Sequence, residues 1–180
     1  MKNIAVYLSA YSNDENMIDL TKNLARLMVE QGFSLVFGGS GTGLMKVLAD
    51  TVLNNKGKVT GITMESLKKV SMPNLTELII AIDLNERKQL LQKHADAFIA
   101  LPGGNGTLDE IIQTIEERKQ GFHHKPIVIL NYNGFYDPLL AQYNKMKDLG
   151  FLPKNQNLDD LFVFVDTSEQ AIKYIHATLK

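Results

Sequence analysis

Short runs of apolar residues alternate along the chain with longer segments in which apolar residues recur every three or four positions. The longer segments predict helices with one buried face, and the short runs predict strands. A run without polar interruptions is typical of a strand buried on both faces, as in a parallel sheet. The predicted strands span 4–8, 34–39, 59–63, 77–82, 97–101, 126–131 and 161–166, and the predicted helices span 14–31, 44–54, 84–95, 107–120, 137–149 and 168–179.

This alternation indicates βαβ units and therefore predicts an α/β fold, a doubly wound, Rossmann-like parallel sheet flanked by helices. All of 1–180 fits a single domain, because a hydrophobic content of 44% is enough for one core. Residues 64–73 follow neither pattern and are not assigned to an element. Folds of this kind bind ligands beyond the carboxyl ends of their strands, at the point where the strand order reverses.

Polar residues mark the starts of several predicted helices. Asn13 or Asp14 is expected to cap the first helix, and Ser168 the last. Asp137 is expected to be the N-cap of the fifth helix, with Pro138 at its first position. Proline is well tolerated there because its missing N–H would have had no helical partner.

The charge and the cysteine content exclude several classes of function. The net charge is −1 at pH 7, so we expect no basic surface for nucleic acid or for an anionic membrane. Without cysteine, a disulfide, a thiolate nucleophile and a zinc–thiolate site are excluded. The apolar run at 4–8 is too short for a signal peptide or a membrane span, and no other run approaches about 20 apolar residues. We therefore expect a cytoplasmic protein.

Two glycine-rich stretches, FGGSGTGLM (37–45) and LPGGNGTLDE (101–110), each join a predicted strand to a predicted helix. Glycine allows positive φ and lets a ligand approach the backbone closely. The N–H groups at the start of a helix favour phosphate. Each stretch alone is equally consistent with a tight turn, but two of similar design favour a phosphate site. Neither is a Walker A motif, and the first lacks the spacing of a dinucleotide-binding loop.

Charged residues near these stretches have side chains suited to a sugar phosphate. Arg87 and Lys88 lie at the start of a predicted helix, and Glu110 lies one turn into the helix after the second stretch. Arginine can bind an oxyanion through two N–H groups. A carboxylate can act as a general base or stabilise positive charge on a sugar. The alternative for Arg87 is a position on a solvated helix face. The alternative for Glu110 is an acid near the helix N-terminus, where the helix dipole favours negative charge. We interpret Asp109 in this second way.

From 83 to 150 the chain resembles the LOG family, the cytokinin-activating phosphoribohydrolases whose bacterial members are often labelled lysine decarboxylases. The family motif, Pro-Gly-Gly-x-Gly-Thr-x-x-Glu, stands here as PGGNGTLDE (102–110), after the Arg-Lys pair of NERK (85–88). The stretches HADAFIALPGG, GFHHKPIVILNYNGFYDPLL and LGFLP also match, and LVFGGSGTGLM is similar to the family's first glycine loop. The likeness covers nearly the whole chain.

This resemblance implies a homodimeric, Rossmann-like enzyme that cleaves the N-glycosidic bond of AMP or a cytokinin riboside monophosphate into free base and ribose 5-phosphate. The catalytic residues carry over as Arg87, which would orient the ribose or phosphate, and Glu110, which would stabilise the sugar cation or activate water. The resemblance implies no metal, no organic cofactor and no nucleic-acid or membrane partner. The implied substrate-binding residues are Gly38, Gly39, Gly41, Gly43, Met45, Lys88, Pro102, Gly103, Gly104, Gly106 and Thr107.

The chain departs from the family pattern near the expected loops and base pocket. Ser9 replaces a glycine after the first strand, Ser40 replaces the third glycine of the first loop, and Lys46 replaces a glycine after Leu-Met. These changes leave open a second interpretation, a nucleotide or molybdenum-cofactor carrier on the same fold. Lysine decarboxylation is disfavoured, since it normally needs pyridoxal phosphate on a lysine and no lysine lies in a recognisable cofactor motif. The other departures are Lys69, where an acid is expected, and Glu116 and Glu117, where plant-like members have Thr-Trp.

Overall fold

A computed structural model describes residues 1–12, 14–153 and 155–179, in which helices alternate with strands along the chain. The strands are Asn3–Tyr7 (β1), Ser34–Phe37 (β2), Val59–Met64 (β3), Glu77–Ala81 (β4), Ala97–Ala100 (β5), Ile127–Leu130 (β6) and Val163–Val165 (β7). The helices are Glu15–Glu30 (α1), Gly43–Asn54 (α2), Leu84–His94 (α3), Asn105–Lys119 (α4), Asp137–Asp148 (α5) and Ser168–Thr178 (α6).

The strands form one seven-stranded sheet in the order β4-β3-β2-β1-β5-β6-β7, and all neighbouring strands are parallel. The predicted α/β, Rossmann-like fold is therefore confirmed. From β1 the chain builds outward through β2, β3 and β4, and then returns to the other side of β1 to add β5, β6 and β7. The strand order reverses between β1 and β5, so a crevice is expected beyond the carboxyl ends of these two strands.

Helices cover both faces of the sheet. Successive residues of a strand point to opposite faces, so each strand contributes side chains to two core layers. Ile4, Val6 and Leu8 belong to the core layer that also contains residues of α1, α2 and α6. Ala5 and Tyr7 belong to the layer that contains residues of α3, α4 and α5. No helix in the described ranges combines the length and the apolar character needed to cross a bilayer.

Two segments differ from the sequence pattern because short 3-10 helices occupy them. The unassigned segment between β3 and β4 contains a 3-10 helix at Glu65–Val70. The predicted strand 161–166 is shorter than expected and spans Val163–Val165. A 3-10 helix at Leu158–Asp160 precedes it and carries Phe162 into the core before the strand begins.

The predicted caps of the first and last helices have different outcomes. Asp14 caps α1, since its carboxylate accepts a hydrogen bond from the Met17 N–H at 3.0 Å, while Asn13 lies outside the described residues. The prediction of Ser168 as the cap of α6 is wrong. Thr167 is the cap, because it forms a reciprocal capping box with the glutamine three positions later.

The predicted cap of α5 is also wrong. Asp137 is the first residue of the helix, and Tyr136 is its N-cap. The Asp137 carboxylate instead accepts a hydrogen bond from the side-chain amide of Asn131 at 2.8 Å. Pro138 is thus the second helical residue, where its missing N–H still has no helical acceptor.

The turn between β2 and α2 packs directly against the loop after β1. Gly43 begins α2 with a φ of +53°, and a Cβ at this position would lie 2.3 Å from the carbonyl carbon and oxygen of Ala10. The Thr42 hydroxyl donates to the same carbonyl at 3.1 Å. Because the loop after β1 borders the crevice, this contact sets the position of one of its walls.

We expect Gly43→Ala to lower the free energy of unfolding by about 3 kcal/mol, because a left-handed φ and overpacking against the Ala10 backbone both disfavour alanine. Gly32→Ala is the matched control. Gly32 has a φ of +73°, but a Cβ there meets nothing within 4 Å, so only backbone strain of about 1 kcal/mol is expected. Urea unfolding measures both losses, and equal losses would contradict the role given to the Ala10 contact.

Candidate active site

Two neighbouring cavities open at the carboxyl edge of the sheet, where the strand order reverses. The first, which we call the α4 cavity, has a volume of about 350 Å³. The second, which we call the β6 cavity, has a volume of about 480 Å³. Ser9 borders both cavities. The α4 cavity is lined by Leu8, Ser9, Ala10, Tyr11, Met45, Arg87, Gly104, Asn105, Gly106, Thr107 and Glu110.

The first turn of α4 forms part of the α4 cavity wall. The helix begins at Asn105, two residues earlier than predicted, and its N-cap Gly104 leaves the turn without a side-chain cap. The first N–H groups of a helix have no intrahelical acceptor and carry partial positive charge. A Cβ at Gly104 or Gly106 would meet no atom within 4 Å, so the space in front of this turn is open. The turn therefore has the geometry of an anion-binding site.

Gly103 has a different role from the two glycines that follow it. A Cβ on Gly103 would lie 2.2 Å from Thr107 Oγ1, so the absence of a side chain allows Thr107 to pack against the turn. Thr107 is buried and borders the α4 cavity. Pro102 and Gly103 themselves line the β6 cavity. The Pro-Gly-Gly-x-Gly-Thr motif thus runs along the boundary between the two cavities.

The Arg87 guanidinium joins three parts of the site. Its Nε donates to the Ile62 carbonyl at 3.0 Å, its Nη2 to the Gly38 carbonyl at 3.2 Å, and its Nη1 to Glu110 Oε1 at 3.0 Å. Ile62 belongs to β3 and Gly38 directly follows β2. A Cβ on Gly38 would lie 2.2 Å from Nη2, so any other residue here would require the guanidinium to shift away from these three acceptors. Arg87 is 8% exposed and therefore does not belong to a solvated helix face.

Glu110 is a buried carboxylate paired with this cation. It is 7% exposed, and Arg87 is its ion-pair partner. Burial raises the pKa of Glu110 because the charged form loses hydration, and the Arg87 guanidinium opposes this shift only in part. No donor among the described residues reaches the second carboxylate oxygen. A carboxyl group with a raised pKa on a cavity wall is suited to proton exchange with a bound molecule.

A second ion pair, between Lys88 and Asp109, lies beside the first. Lys88 Nζ is 3.0 Å from Asp109 Oδ2 and 3.2 Å from Oδ1. The Lys88 side chain is 11% exposed and the Asp109 side chain 50%. Lys88, expected among the substrate-binding residues, does not line the α4 cavity. Asp109 lies near the start of α4, as expected, where the helix dipole favours its negative charge. Lys88 also neutralises that charge.

Most of the first glycine-rich stretch lies outside the described wall of the α4 cavity. Of its expected binding residues, Met45 alone borders the cavity as described. The Gly41 N–H donates to the Val70 carbonyl at 2.7 Å, and the Met72 N–H donates to the Gly39 carbonyl at 2.8 Å. Because the Gly41 N–H already has an acceptor, it is not available to a phosphate. The stretch instead ties α2 to the segment that leads into β4.

Residues that depart from the family pattern fall into two groups. Ser9 borders both cavities, and its hydroxyl accepts a hydrogen bond from the Tyr11 N–H at 3.1 Å. Ser40 lies in the first glycine-rich stretch, with its hydroxyl 2.9 Å from that of Thr42. Ser40 lies outside the described walls of both cavities, and so do the remaining departures, Lys46, Lys69, Glu116 and Glu117.

Apart from Pro102 and Gly103, the β6 cavity is lined by residues outside the two glycine-rich stretches. Its wall combines Asp14 at the start of α1 with Asn133 and Phe135 after β6. The buried Tyr136 hydroxyl donates to the Leu101 carbonyl at 2.7 Å and so links this wall to the Pro-Gly-Gly turn. Two sequence signals point to these residues: their position after strands that end near the reversal of strand order, and, for Asn133, Phe135 and Tyr136, the stretch GFHHKPIVILNYNGFYDPLL that matches the family.

Comparisons with known proteins agree on one family. A family model described as "Possible lysine decarboxylase" matches residues 45–175. A "Probable cytokinin riboside 5'-monophosphate phosphoribohydrolase" of Oryza sativa subsp. japonica is 40% identical over 136 residues, which are 74% of this chain and 61% of the rice protein. A cytokinin riboside 5'-monophosphate phosphoribohydrolase of Arabidopsis thaliana is 34% identical over 179 residues, which are 98% of this chain and 78% of that protein.

A solved structure has the same fold. The molybdenum cofactor binding protein from Rippkaea orientalis aligns with a TM-score of 0.77 and 20% sequence identity. The alignment covers 99% of this chain and 98% of that chain. At this level of identity the likeness concerns the fold, and the site must be judged by its own residues.

An NMR titration of the Glu110 carboxyl carbon should give a pKa above that of an ordinary glutamate, because the effect of burial exceeds that of the Arg87 charge. In Arg87→Met the pKa should rise further, since the burial remains and the neighbouring positive charge is lost. Arg87→Lys, which keeps a charge, is the control and should show a smaller rise. An unchanged or lower pKa in Arg87→Met would be inconsistent with the ion pair.

Proposed function

Because the chain belongs to the LOG family, also described as possible lysine decarboxylases, we propose that it hydrolyses the N-glycosidic bond of nucleoside 5'-monophosphates. The proposed substrates are AMP and cytokinin riboside monophosphates, and the products are the free base and ribose 5-phosphate. One observation carries the proposal. The buried Arg87–Glu110 pair and the open first turn of α4 lie on the walls of the same cavity.

In this proposal the 5'-phosphate binds at the first turn of α4. The N–H groups of residues 105–107 have no helical acceptor, and the helix dipole favours an anion at this end. Gly104 and Gly106 leave the space that a phosphate needs. The nearby Asp109 carboxylate does not repel the phosphate strongly, because it is half exposed to water, which screens its charge, and lies off the described wall of the α4 cavity.

The position of Glu110 fits the other end of the sugar. An α-helix rises about 1.5 Å per residue, so Glu110 lies roughly 6 Å farther along the α4 axis than Gly106. This separation is on the order of one ribose unit. A ribose 5-phosphate whose phosphate rests on the first turn of α4 can therefore place C1' close to the Glu110 carboxylate.

Glu110 then has two tasks at C1'. Cleavage of the C1'–N bond moves the bonding electrons to the base nitrogen and leaves positive charge on the ribose. The Glu110 carboxylate stabilises that charge and accepts a proton from the water that attacks C1'. The leaving base takes up a proton, so the net reaction adds one water across the bond. A raised pKa makes Glu110 a better proton acceptor than an exposed glutamate.

Arg87 supports this chemistry in two ways. Its positive charge favours the ionised form of Glu110, the form that the reaction needs. Its guanidinium also carries more N–H groups than the three that donate to Ile62, Gly38 and Glu110. Since Arg87 borders the α4 cavity, the remaining N–H groups can bind a ribose hydroxyl or a phosphate oxygen.

Lysine decarboxylation does not fit the walls of the two cavities. Pyridoxal phosphate enzymes hold the cofactor as a Schiff base with a lysine amine. No lysine is among the described residues that line either cavity. The amine of Lys88, the lysine next to Arg87, is engaged by Asp109. We therefore assign the hydrolase activity and not the decarboxylase activity.

We also propose that the protein is a homodimer. The edge strand β4 and the residue after it expose apolar side chains at alternating positions, Leu78, Ile80 and Ile82, with Ile82 90% exposed. Alternating positions share one face of a strand. The 3-10 helix between β3 and β4 adds Leu67 and Val70, which are also exposed. A group of exposed apolar side chains in one region is typical of a subunit interface.

Incubation of the purified protein with AMP or isopentenyladenosine monophosphate should release free base and ribose 5-phosphate, which chromatography can quantify. Glu110→Gln should lower kcat by about 10²–10⁴-fold, because an amide cannot accept the proton from water. Its KM should change little, since the first turn of α4 is intact. Adenosine, which lacks the 5'-phosphate, is the control and should react far more slowly. Release of no base from any monophosphate would refute the proposal.

Turnover by the parent protein separates a hydrolase from a carrier of nucleotide or molybdenum cofactor on this fold. A carrier would bind its ligand tightly without turnover, and Glu110→Gln would change the ligand affinity by no more than a modest factor. Calorimetric titration with AMP should detect binding by the parent protein and by Glu110→Gln for either function, so the activity assay decides: only a hydrolase releases base, and it loses most of that release in Glu110→Gln.

Ile82→Asp should convert the protein from a dimer to a monomer in size-exclusion chromatography with light scattering, because an apolar interface does not solvate a carboxylate. Phe151→Asp is the matched control, since Phe151 is an exposed apolar residue between α5 and β7, and β7 is the edge strand on the opposite side of the sheet from β4. It should remain dimeric. A monomeric parent protein, or a dimeric Ile82→Asp variant, would contradict this part of the proposal.

A further inference from the structure

Two ion pairs, not one, connect the starts of α3 and α4. The consecutive residues Arg87 and Lys88 of α3 pair with Glu110 and Asp109, which are consecutive residues of α4. The shortest N···O distance is 3.0 Å in both pairs. The first pair is buried on the wall of the α4 cavity, and the second lies farther from it with Asp109 half exposed.

The contacts of Lys88 do not fit direct binding of a substrate. Both carboxylate oxygens of Asp109 hold its ammonium group. Lys88 is absent from the described walls of both cavities. An ammonium group that is already neutralised and lies off the cavity wall makes no direct contact with a phosphate. Its effect on the reaction must therefore pass through Asp109 and α4.

The two pairs restrain α4 in different directions. Successive residues of a helix point about 100° apart, so a single pair acts as a pivot, whereas two adjacent pairs also oppose rotation of the helix about its axis. Farther along, Leu91 of α3 packs in the same core layer as Ile111 of α4. Near the start of α3, the two ion pairs are the polar links to α4 among the described side chains.

The angle of α4 matters because one helix carries both the phosphate-binding turn and Glu110. A small rotation would move the carboxylate relative to C1' while leaving the N–H groups of the first turn near the helix axis. A displacement of about 1 Å at a reacting group can slow a reaction about 100-fold. Loss of the second ion pair should therefore affect the rate of the chemical step more than substrate binding.

We propose that Lys88 and Asp109 are positioning residues, whose ion pair sets the angle at which α4 presents Glu110 to the sugar, and that neither side chain touches the substrate. The inference rests on the proposed hydrolase function. It adds Lys88 and Asp109 as residues that act through Arg87 and Glu110. It assigns Lys88 a positioning role in place of the substrate-binding role expected from the sequence.

The test compares Lys88→Met, Asp109→Asn and the double variant in AMP hydrolysis. Each single variant should lower kcat about 10-fold with KM within about two-fold of the parent value, because geometry is lost and binding is kept. The double variant should be no slower than either single variant, since all three lack the same interaction. The exchanged pair, Lys88→Asp with Asp109→Lys, should recover about half of the lost kcat.

Direct binding of substrate by Lys88 gives a different pattern. Lys88→Met would then raise the KM for AMP by about 10-fold or more, Asp109→Asn would not share this defect, and the two effects would add in the double variant. That result would overturn the proposal. Lys2→Met is the matched control, because it breaks the Lys2–Asp96 ion pair of 3.4 Å outside both cavities. Its kcat and KM should equal those of the parent.

A titration of the Glu110 carboxyl tests the positioning role without turnover. The charged groups that face Glu110 are Arg87, Asp109 and Lys88. If Asp109 acted through its charge alone, Asp109→Asn would lower the pKa of Glu110. If the pair holds Glu110 against Arg87, loosening that contact should instead raise the pKa in Asp109→Asn. A fall in Asp109→Asn would overturn the inference even if AMP were not a substrate, whereas a lack of turnover in the parent would count against the hydrolase proposal alone.

Discussion

The candidate site depends on one buried guanidinium. Arg87 belongs to α3, yet it binds a carbonyl of β3, the carbonyl that follows β2, and a carboxylate of α4. A buried cation is tolerated only where its charge and its N–H groups have partners. These groups must therefore meet at one point, and the sheet order brings them together at the carboxyl edge. A side chain at position 38 would disturb this arrangement, because its Cβ would lie 2.2 Å from Arg87 Nη2.

Around this interaction the two glycine-rich stretches have different roles. The second forms a wall, with Gly104 and Gly106 exposing the first turn of α4 to open space. The first is a scaffold, with backbone groups bonded to the segment before β4 and a carbonyl that holds Arg87. The cavity wall thus contains a turn with the geometry of an anion site and, about one helical turn away, a carboxylate. The acid and the proposed anion site are compatible, because the proposed substrate is negative at its phosphate and becomes positive at its sugar.

Local sequence predicted the elements with a clear apolar periodicity but placed several helix ends wrongly. The strands and helices were found close to their observed positions, since continuous apolar runs and amphipathic periods report burial directly. Ser168 and Asp137 were wrong as caps, because Thr167 has its own capping box and Asn131 engages the Asp137 side chain. The start of α4 was placed too late, since glycine at its first turn has low helix propensity and the helix is held by its packing.

The sequence alone is enough for the α/β fold, the family, and the residue types at 87, 102–107 and 110 on which the proposed chemistry rests. These features follow from short-range pattern and from motif spacing. The folded chain adds that Arg87 is buried against Glu110, that Lys88 pairs with Asp109, and that the Gly41 N–H already has an acceptor. Each of these facts depends on which distant carbonyl or carboxylate the sheet order brings within about 3 Å, the range of a hydrogen bond. The number of residues between two positions along the chain does not give their distance in space.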